Sequence, residues 1–208
     1  MFDFLVVAVS YLIGSLSFAV IVSKYYGMDD PRTYGSGNPG ATNVLRSGRK
    51  KAAVLTLLGD ALKGLLAVWL ALALQNTLNL SDASVALAAV AVLVGHMWPL
   101  FFGFKGGKGV ATALGVLLAL SWPTALVCLA VWLVAAFGLR ISSLAALLAA
   151  AASPLAAFFF MPYVSWRAAS LAIAVLVLCR HKGNILNLMR GKEGRIGDKA
   201  ENHGGNDK

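Results

Sequence analysis

The sequence predicts an all-α, polytopic integral membrane protein of about seven transmembrane helices. Three observations carry this. The chain is 59% hydrophobic and 13% charged, whereas a soluble domain is about a quarter charged. Its mean hydropathy is +0.75. Its apolar residues gather into runs near the roughly 20 residues that a helix needs to cross a bilayer. These runs are Phe4–Val22, Ala52–Leu74, Ala83–Phe102, Val110–Leu120, Thr124–Leu139, Ile141–Phe160 and Ala168–Cys179. Val110–Leu120 is short, and the last run is short unless it starts near Tyr163. Ser121-Trp122-Pro123 interrupts what would be one overlong segment, because proline breaks a helix interior and suits a first turn. Five spans is the alternative, with 110–139 and 141–179 each read as one broken element.

Orientation follows from the Lys/Arg bias. Segment 23–51 carries Lys24, Arg32, Arg46, Arg49, Lys50 and Lys51; 103–109 carries Lys105 and Lys108; Arg140 and the segment from Arg180 onward add more. The loops 75–82 and 121–123 carry none, and 161–167 carries only Arg167. The N-terminus is therefore expected outside and the C-terminus in the cytoplasm. Asp3 and the lack of an early Lys or Arg argue against a cleaved signal, so Phe4–Val22 is expected to be the first span. The net charge of +9 serves topology and anionic lipid or substrate; no basic patch interleaved with aromatics suggests nucleic acid. Cys128 and Cys179 lie inside apolar runs and are expected as buried small hydrophobes, and His96, His181 and His203 make no zinc-ligand spacing with them. Residues 1–195 are expected to form one membrane-embedded domain, and 196–208 a polar, disordered tail.

Three polar, glycine-bearing stretches interrupt this apolar chain, all on the expected cytoplasmic side. The first runs from Tyr34 to Arg46 (Tyr34-Gly35-Ser36-Gly37-Asn38-Pro39-Gly40-Ala41-Thr42-Asn43-Val44-Leu45-Arg46). It contains G-x-G-x-x-G, but no strand precedes it, Pro39 spoils the turn and a membrane span follows, so a dinucleotide site is rejected. Its donors suit an oxyanion or a polyol. The second, Phe104-Lys105-Gly106-Gly107-Lys108-Gly109-Val110-Ala111-Thr112, fails the P-loop pattern twice: Phe102 stands at the first glycine and Gly109 follows Lys108. It remains a phosphate cradle at the start of an apolar helix, where free N–H groups and the dipole favour an anion. A tight basic loop between helices is the plainer alternative. The third is Arg180-His181-Lys182-Gly183-Asn184-Ile185, running on to Gly191-Lys192-Glu193-Gly194-Arg195. If it is helical, His181 and Asn184 are one turn apart, and His181 has an intrinsic pKa suited to proton transfer. A positive-inside anchor is the alternative.

Asp60 and Lys63 lie one turn apart within a span, where ionisable groups are costly and usually paired. They are expected to pair with each other, in support of the site or for purely structural reasons. His96, before Trp98-Pro99, is expected as a helix–helix hydrogen-bond partner.

Together these stretches resemble the bacterial acyl-phosphate-dependent glycerol-3-phosphate acyltransferases, a membrane family that makes lysophosphatidic acid. Gly35–Val44 with Arg46 is similar to its first motif, Gly103–Thr112 to its second, and His181-x-x-Asn184-Ile185 with Gly191-x-Glu193 to its third. Asp60-x-x-Lys63-Gly64 and Gly95-His96 also match, and the resemblance extends through Arg195; Asn187 departs from an expected basic residue. It implies a seven-helix fold with a cytoplasmic-side site in the bacterial inner membrane, acyl phosphate as donor, glycerol 3-phosphate as acceptor, and no metal or cofactor. It leaves room for a transient contact with the enzyme that produces acyl phosphate.

It further implies catalytic roles for Ser36, Lys108, His181 and Asn184. Arg46, Lys105, Gly106, Gly107, Gly109, Asn38, Thr42 and Asn43 are implied to bind phosphate. Asp60, Lys63, His96, Glu193 and Arg195 are implied to support them, with Glu193 orienting the basic groups of the third stretch. An organic-phosphate transporter and an anionic-lipid-binding scaffold are the competing classes. Clustering of the motifs on one face argues against the first, and Asn38, Thr42, Asn43 and Asn184 are superfluous to the second.

Overall fold

The computed structural model describes residues 2–196, and these form helices and turns with no strand among them. The helices are α1 (Phe2–Gly14), α2 (Phe18–Tyr25), α3 (Ala41–Arg46), α4 (Lys50–Leu74), α5 (Asp82–Met97), α6 (Val110–Leu120), α7 (Trp122–Leu139), α8 (Ser142–Phe160), α9 (Val164–Arg180) and α10 (Lys182–Met189). A 3₁₀ turn spans Leu100–Phe102. Four helical stretches are long and apolar enough to cross a membrane, or up to six if the bent pairs α1–α2 and α9–α10 each count as one; α6, with 11 residues, is a shorter apolar helix.

The bundle is packed in the inverse sense of a soluble protein. On α4, Leu55, Leu58, Leu62, Leu66 and Trp69 are exposed at helical spacing, while Ala52, Thr56, Gly59, Asp60, Lys63, Gly64, Ala67 and Ala71 face inward. Large apolar side chains suit lipid; small ones let backbones approach, which is how helices associate where lipid is as apolar as leucine. The principal pairings are α4 with α6, α7 with α8, α1 with α5, and α8 with α9. Glycines mark the closest approaches. A Cβ on Gly115 of α6 would strike the Ala61 carbonyl of α4, one on Gly64 the Thr112 carbonyl, and one on Gly14 of α1 the Val92 carbonyl of α5.

Element ends follow local chemistry. The Ser81 hydroxyl caps α5 by accepting from Ser84 N at 3.2 Å. The Ser121 hydroxyl caps α7 by accepting from Thr124 N at 3.4 Å, with Pro123 in the first turn, as the sequence leads one to expect. The last span begins at Val164, next to Tyr163, and its 17 residues reach spanning length together with α10.

The first run differs from the expected single helix over Phe4–Val22. It breaks after Gly14 and bends by 40° before α2. Two distant partners impose the break. Gly14 and Gly95 bring α1 against α5 too closely for side chains. The Leu16 carbonyl, released from the helix ladder, accepts a hydrogen bond from Lys63 Nζ at 2.5 Å. The cysteine expectation also needs correction: Cys128 is buried, but Cys179 is exposed on α9. Both are free thiols. Of the tail expected to be disordered, residues 197–208, His203 among them, lie outside the described residues. Ile196 is docked, its N–H donating to the Arg140 carbonyl at 2.7 Å and its side chain packing on Ala135, Ala136 and Ala145.

A cluster of buried polar groups links α4, α5 and the α1–α2 break. Lys63 Nζ lies 2.9 Å from Asp60 Oδ1, as the spacing predicts, and both side chains are at most 5% exposed. His96 Nδ1 of α5 approaches the same oxygen at 3.4 Å. Breaking a buried pair by deleting one partner strands the other charge. Asp60→Leu is therefore expected to cost about 3 to 5 kcal/mol, seen as a lower unfolding midpoint in detergent, and Lys63→Met added to it should recover most of that loss. A double variant no more stable than the single one would show that the pair is not the stabilising unit. Gly115→Val should cost on the order of 2 kcal/mol through overpacking. Gly138→Ala, whose added methyl meets nothing within 4 Å, should leave the midpoint unchanged or slightly raised.

Candidate active site

The three polar stretches, separated widely in sequence, are drawn together. The second is the hub. It leaves the 3₁₀ turn through two left-handed residues, Gly103 (φ 63) and Phe104 (φ 58), and ends at Gly109 (φ 85), the residue that caps α6. A Cβ at Gly109 would press into Leu93 and Met97, so this position needs glycine for both backbone and space. The loop packs against the end of α5. A Cβ on Gly106 would collide with the His96 and Met97 carbonyls and the Pro99 ring, and one on Gly107 with the His96 ring and the Pro39 carbonyl. The first and second stretches thus meet at Pro39 and Gly107.

The third stretch grips the second from the other side. Lys108 Nζ donates to Asn184 Oδ1 at 2.6 Å. Asn184 Nδ2 donates to Glu193 Oε1 at 2.6 Å, and the Ser143 hydroxyl donates to the same oxygen at 2.7 Å. A line of bonds therefore runs from the glycine loop through α10 and the segment after it to the start of α8. Glu193 holds the Asn184 amide and lies within electrostatic reach of Lys108, and Ser143 was not anticipated at all. The helix bends by 58° between α9 and α10. His181 sits at that joint, buried, and its carbonyl accepts from Ile185 N at 2.9 Å, so His181 and Asn184 stay within one turn. Nδ1 of His181 lies 2.8 Å from the Val177 carbonyl. A carbonyl only accepts, so Nδ1 carries the proton and Nε2 is left as the basic nitrogen.

The electrostatics show how crowded with cations this region is. Burial holds the Lys108 ammonium below the ordinary lysine range; Glu193 opposes this, while Arg180 and Arg46 reinforce it by repulsion. Arg46, at the end of α3, is therefore within electrostatic reach of Lys108. Arg180, the first residue of the third stretch and part of the Lys/Arg bias but given no role in the site by sequence, donates to the Gly106 carbonyl at 2.9 Å and to the Gly107 carbonyl at 3.2 and 3.3 Å.

The first stretch is a turn-rich loop tied to itself. Asn43 is buried, and its Nδ2 donates to the Pro31 carbonyl at 2.7 Å and the Tyr34 carbonyl at 3.1 Å, while its Oδ1 accepts from Ser36 N at 2.9 Å. Its side chain is committed to shaping the loop, as the Gly107 amide is committed to the His96 carbonyl at 3.2 Å. Arg32 fastens this loop to the second stretch: it grips Asp30 at 2.6 and 2.9 Å and donates to the Phe102 carbonyl at 3.0 Å. Ser36, Thr42 and Lys105 are exposed, and Asn38 and Arg46 are half-buried around the loop. Asp60, Lys63 and His96 lie beneath, with the His96 ring against Gly107. Arg195 is exposed near the end of the described chain.

Known proteins of this shape agree with one another. A family described as glycerol-3-phosphate acyltransferase matches residues 4–191. The glycerol-3-phosphate acyltransferase of Neisseria gonorrhoeae is 75% identical over 199 residues, covering 96% of this chain and 100% of that one. Two crystal structures of the integral membrane glycerol 3-phosphate acyltransferase PlsY (YgiH) superpose on it. The glycerol 3-phosphate form has a TM-score of 0.86 at 38% identity, covering 95% of this chain and 96% of that one. The lysophosphatidic acid form has a TM-score of 0.85 at 37% identity, covering 95% and 97%. The chain belongs to the glycerol-3-phosphate acyltransferase family of integral membrane proteins.

Proposed function

We propose that this protein transfers an acyl chain from acyl phosphate to the sn-1 hydroxyl of glycerol 3-phosphate, giving lysophosphatidic acid and inorganic phosphate. The observation that supports it most is the Lys108–Asn184 bond at 2.6 Å, which joins the glycine loop to the third stretch amid Arg46 and Arg180. Both substrates are phosphate-bearing anions, and a buried, multiply cationic loop at a helix start suits them. Acyl phosphate is already an activated mixed anhydride, so the protein needs to position a hydroxyl and stabilise developing charge, without an acyl-enzyme. The hydroxyl oxygen bonds to the acyl carbon, the bond from that carbon to the phosphate oxygen breaks, and phosphate departs with both electrons.

In this reading the Lys105–Gly109 loop, with Ser36, holds the donor's phosphate and carbonyl oxygen. Arg46 and Lys108, with His181 and Asn184, hold glycerol 3-phosphate. Nε2 of His181 or the departing phosphate accepts the hydroxyl proton. Asn38 and Thr42 add donors from the first stretch, while Asn43 and Glu193 act by shaping and by orienting Asn184. Asp60, Lys63 and His96 support the loop from below. The Lys/Arg bias supports a site on the cytoplasmic side, in the bacterial inner membrane that the family resemblance implies, and in this reading the acyl chain lies among the helices, reaching the site laterally from the bilayer.

Protein in detergent, given acyl phosphate and glycerol 3-phosphate, is expected to form lysophosphatidic acid, and not to do so from acyl-CoA or acyl carrier protein donors. Product from the thioester donors alone would remove acyl phosphate from the reading. Lys108→Ala should lower kcat/KM at least a hundredfold, a loss of about 2.7 kcal/mol or more in transition-state stabilisation. A Lys108 ammonium held below the ordinary lysine range loses its charge at lower pH than a free lysine. The alkaline limb of kcat/KM should accordingly fall below pH 10.5, the ordinary lysine value, and a limb at or above it would show that Lys108 is not the titrating group.

A further inference from the structure

Arg180 closes the last span, and a basic residue there is explained by topology alone. Its surroundings show a second task. The guanidinium lies over the Trp98 ring at 5.4 Å from the centroid and donates to two consecutive carbonyls, Gly106 and Gly107. Trp98 is itself held, since its carbonyl accepts from the Tyr11 hydroxyl at 2.9 Å. The cation is thus fixed by an aromatic face, and its fork is spent on backbone oxygens of the loop.

The consequence lies in the peptide planes. In a trans peptide the N–H points opposite to the C=O. Turning the Gly106 carbonyl to Arg180 directs the Gly107 N–H the other way, where the His96 carbonyl accepts it at 3.2 Å. Turning the Gly107 carbonyl to Arg180 likewise directs the Lys108 N–H away from the guanidinium. Glycine peptides lack side-chain restraint and would otherwise rotate freely. Two glycines are required here by close contacts, so their orientation has to be fixed from outside.

We propose that Arg180 is a positioning residue for the reaction: by holding the Gly106 and Gly107 carbonyls it fixes the two glycine peptides and aims the Lys108 backbone N–H at the donor's phosphate. This rests on the loop holding phosphate, as set out above. Asn184, four residues on, fixes Lys108 Nζ from the same side. The joint between α9 and α10 therefore sets both the backbone and the side chain of the loop. Lysine cannot replace this fork, because its single ammonium reaches one carbonyl well and does not lie flat on the indole.

The test compares Arg180→Lys, Arg180→Met, Trp98→Leu and the Arg180→Lys/Trp98→Leu double variant with the unchanged protein in detergent. Turnover is measured with acyl phosphate and, in parallel, with acyl-CoA and acyl carrier protein donors. Turnover of the unchanged protein tells whether acyl phosphate is the donor. The ratio of each variant to it, with whichever donor is accepted, tests the inference separately. Arg180→Lys is expected to lose at least tenfold in kcat with KM for glycerol 3-phosphate within about threefold and an unaltered unfolding midpoint, and Arg180→Met more. Trp98→Leu, which keeps the arginine, should lose severalfold in kcat, and the double variant little more than Arg180→Lys. Three results would overturn the proposal: full turnover by Arg180→Lys, a tenfold rise in KM for glycerol 3-phosphate with kcat intact (a direct ligand of that substrate), or losses that multiply in the double variant. If the Arg180 variants do not fold, Trp98→Leu decides alone: a folded Trp98→Leu with unchanged kcat overturns it.

Discussion

The fold depends on a buried charge that has been given partners. Asp60 lies within a span, and two groups converge on one of its oxygens: Lys63 from the next turn of α4, and His96 from α5. In a bilayer core an unpartnered carboxylate is prohibitively costly, so these groups stay together or the helices separate. Because Lys63 also takes the Leu16 carbonyl, the pair sets the break between α1 and α2. Because His96 lies under Gly107, it also sets the floor of the glycine loop. A polar cluster in the middle of the bundle thereby determines where a loop at its edge sits.

Above that floor, three polar side chains are tied tightly into their surroundings. Asn184 is bonded on both sides, Glu193 receives two donors, and Asn43 is saturated by its own loop. Such connection rigidifies a site before substrate arrives, so less of the binding energy is spent on ordering it. It also explains the mixture of residue types. Amides serve where a group must donate and accept at once, as Asn184 does between Lys108 and Glu193, and no single ionised side chain can do both.

How much of this was legible in the sequence depends on the distance to the partner. The apolar runs marked the spans within a few residues, since period and length are local properties. The Asp60–Lys63 pair was legible because its members are three residues apart. The break after Gly14 was not, since Lys63 acts on Leu16 from 47 residues away. Asn43 looked like a ligand by type; only the fold shows its amide spent on Pro31 and Tyr34. Arg180 was hidden for another reason. A cation at a helix end already has a sufficient explanation in membrane topology, so its contact with the glycines left no separate trace. Cys179 reversed its expected burial because an apolar run does not reveal which face meets lipid.

The shortness of α6 constrains where its two ends can lie. With 11 residues it rises about 16 Å, whereas its hairpin partner α7, with 18 residues, rises about 27 Å. The two meet at the turn around Ser121, whose hydroxyl caps α7. An element as short as α6 cannot cross a hydrocarbon layer of about 30 Å by itself, so the glycine loop or the Ser121 turn at its other end lies within the thickness that the longer helices span.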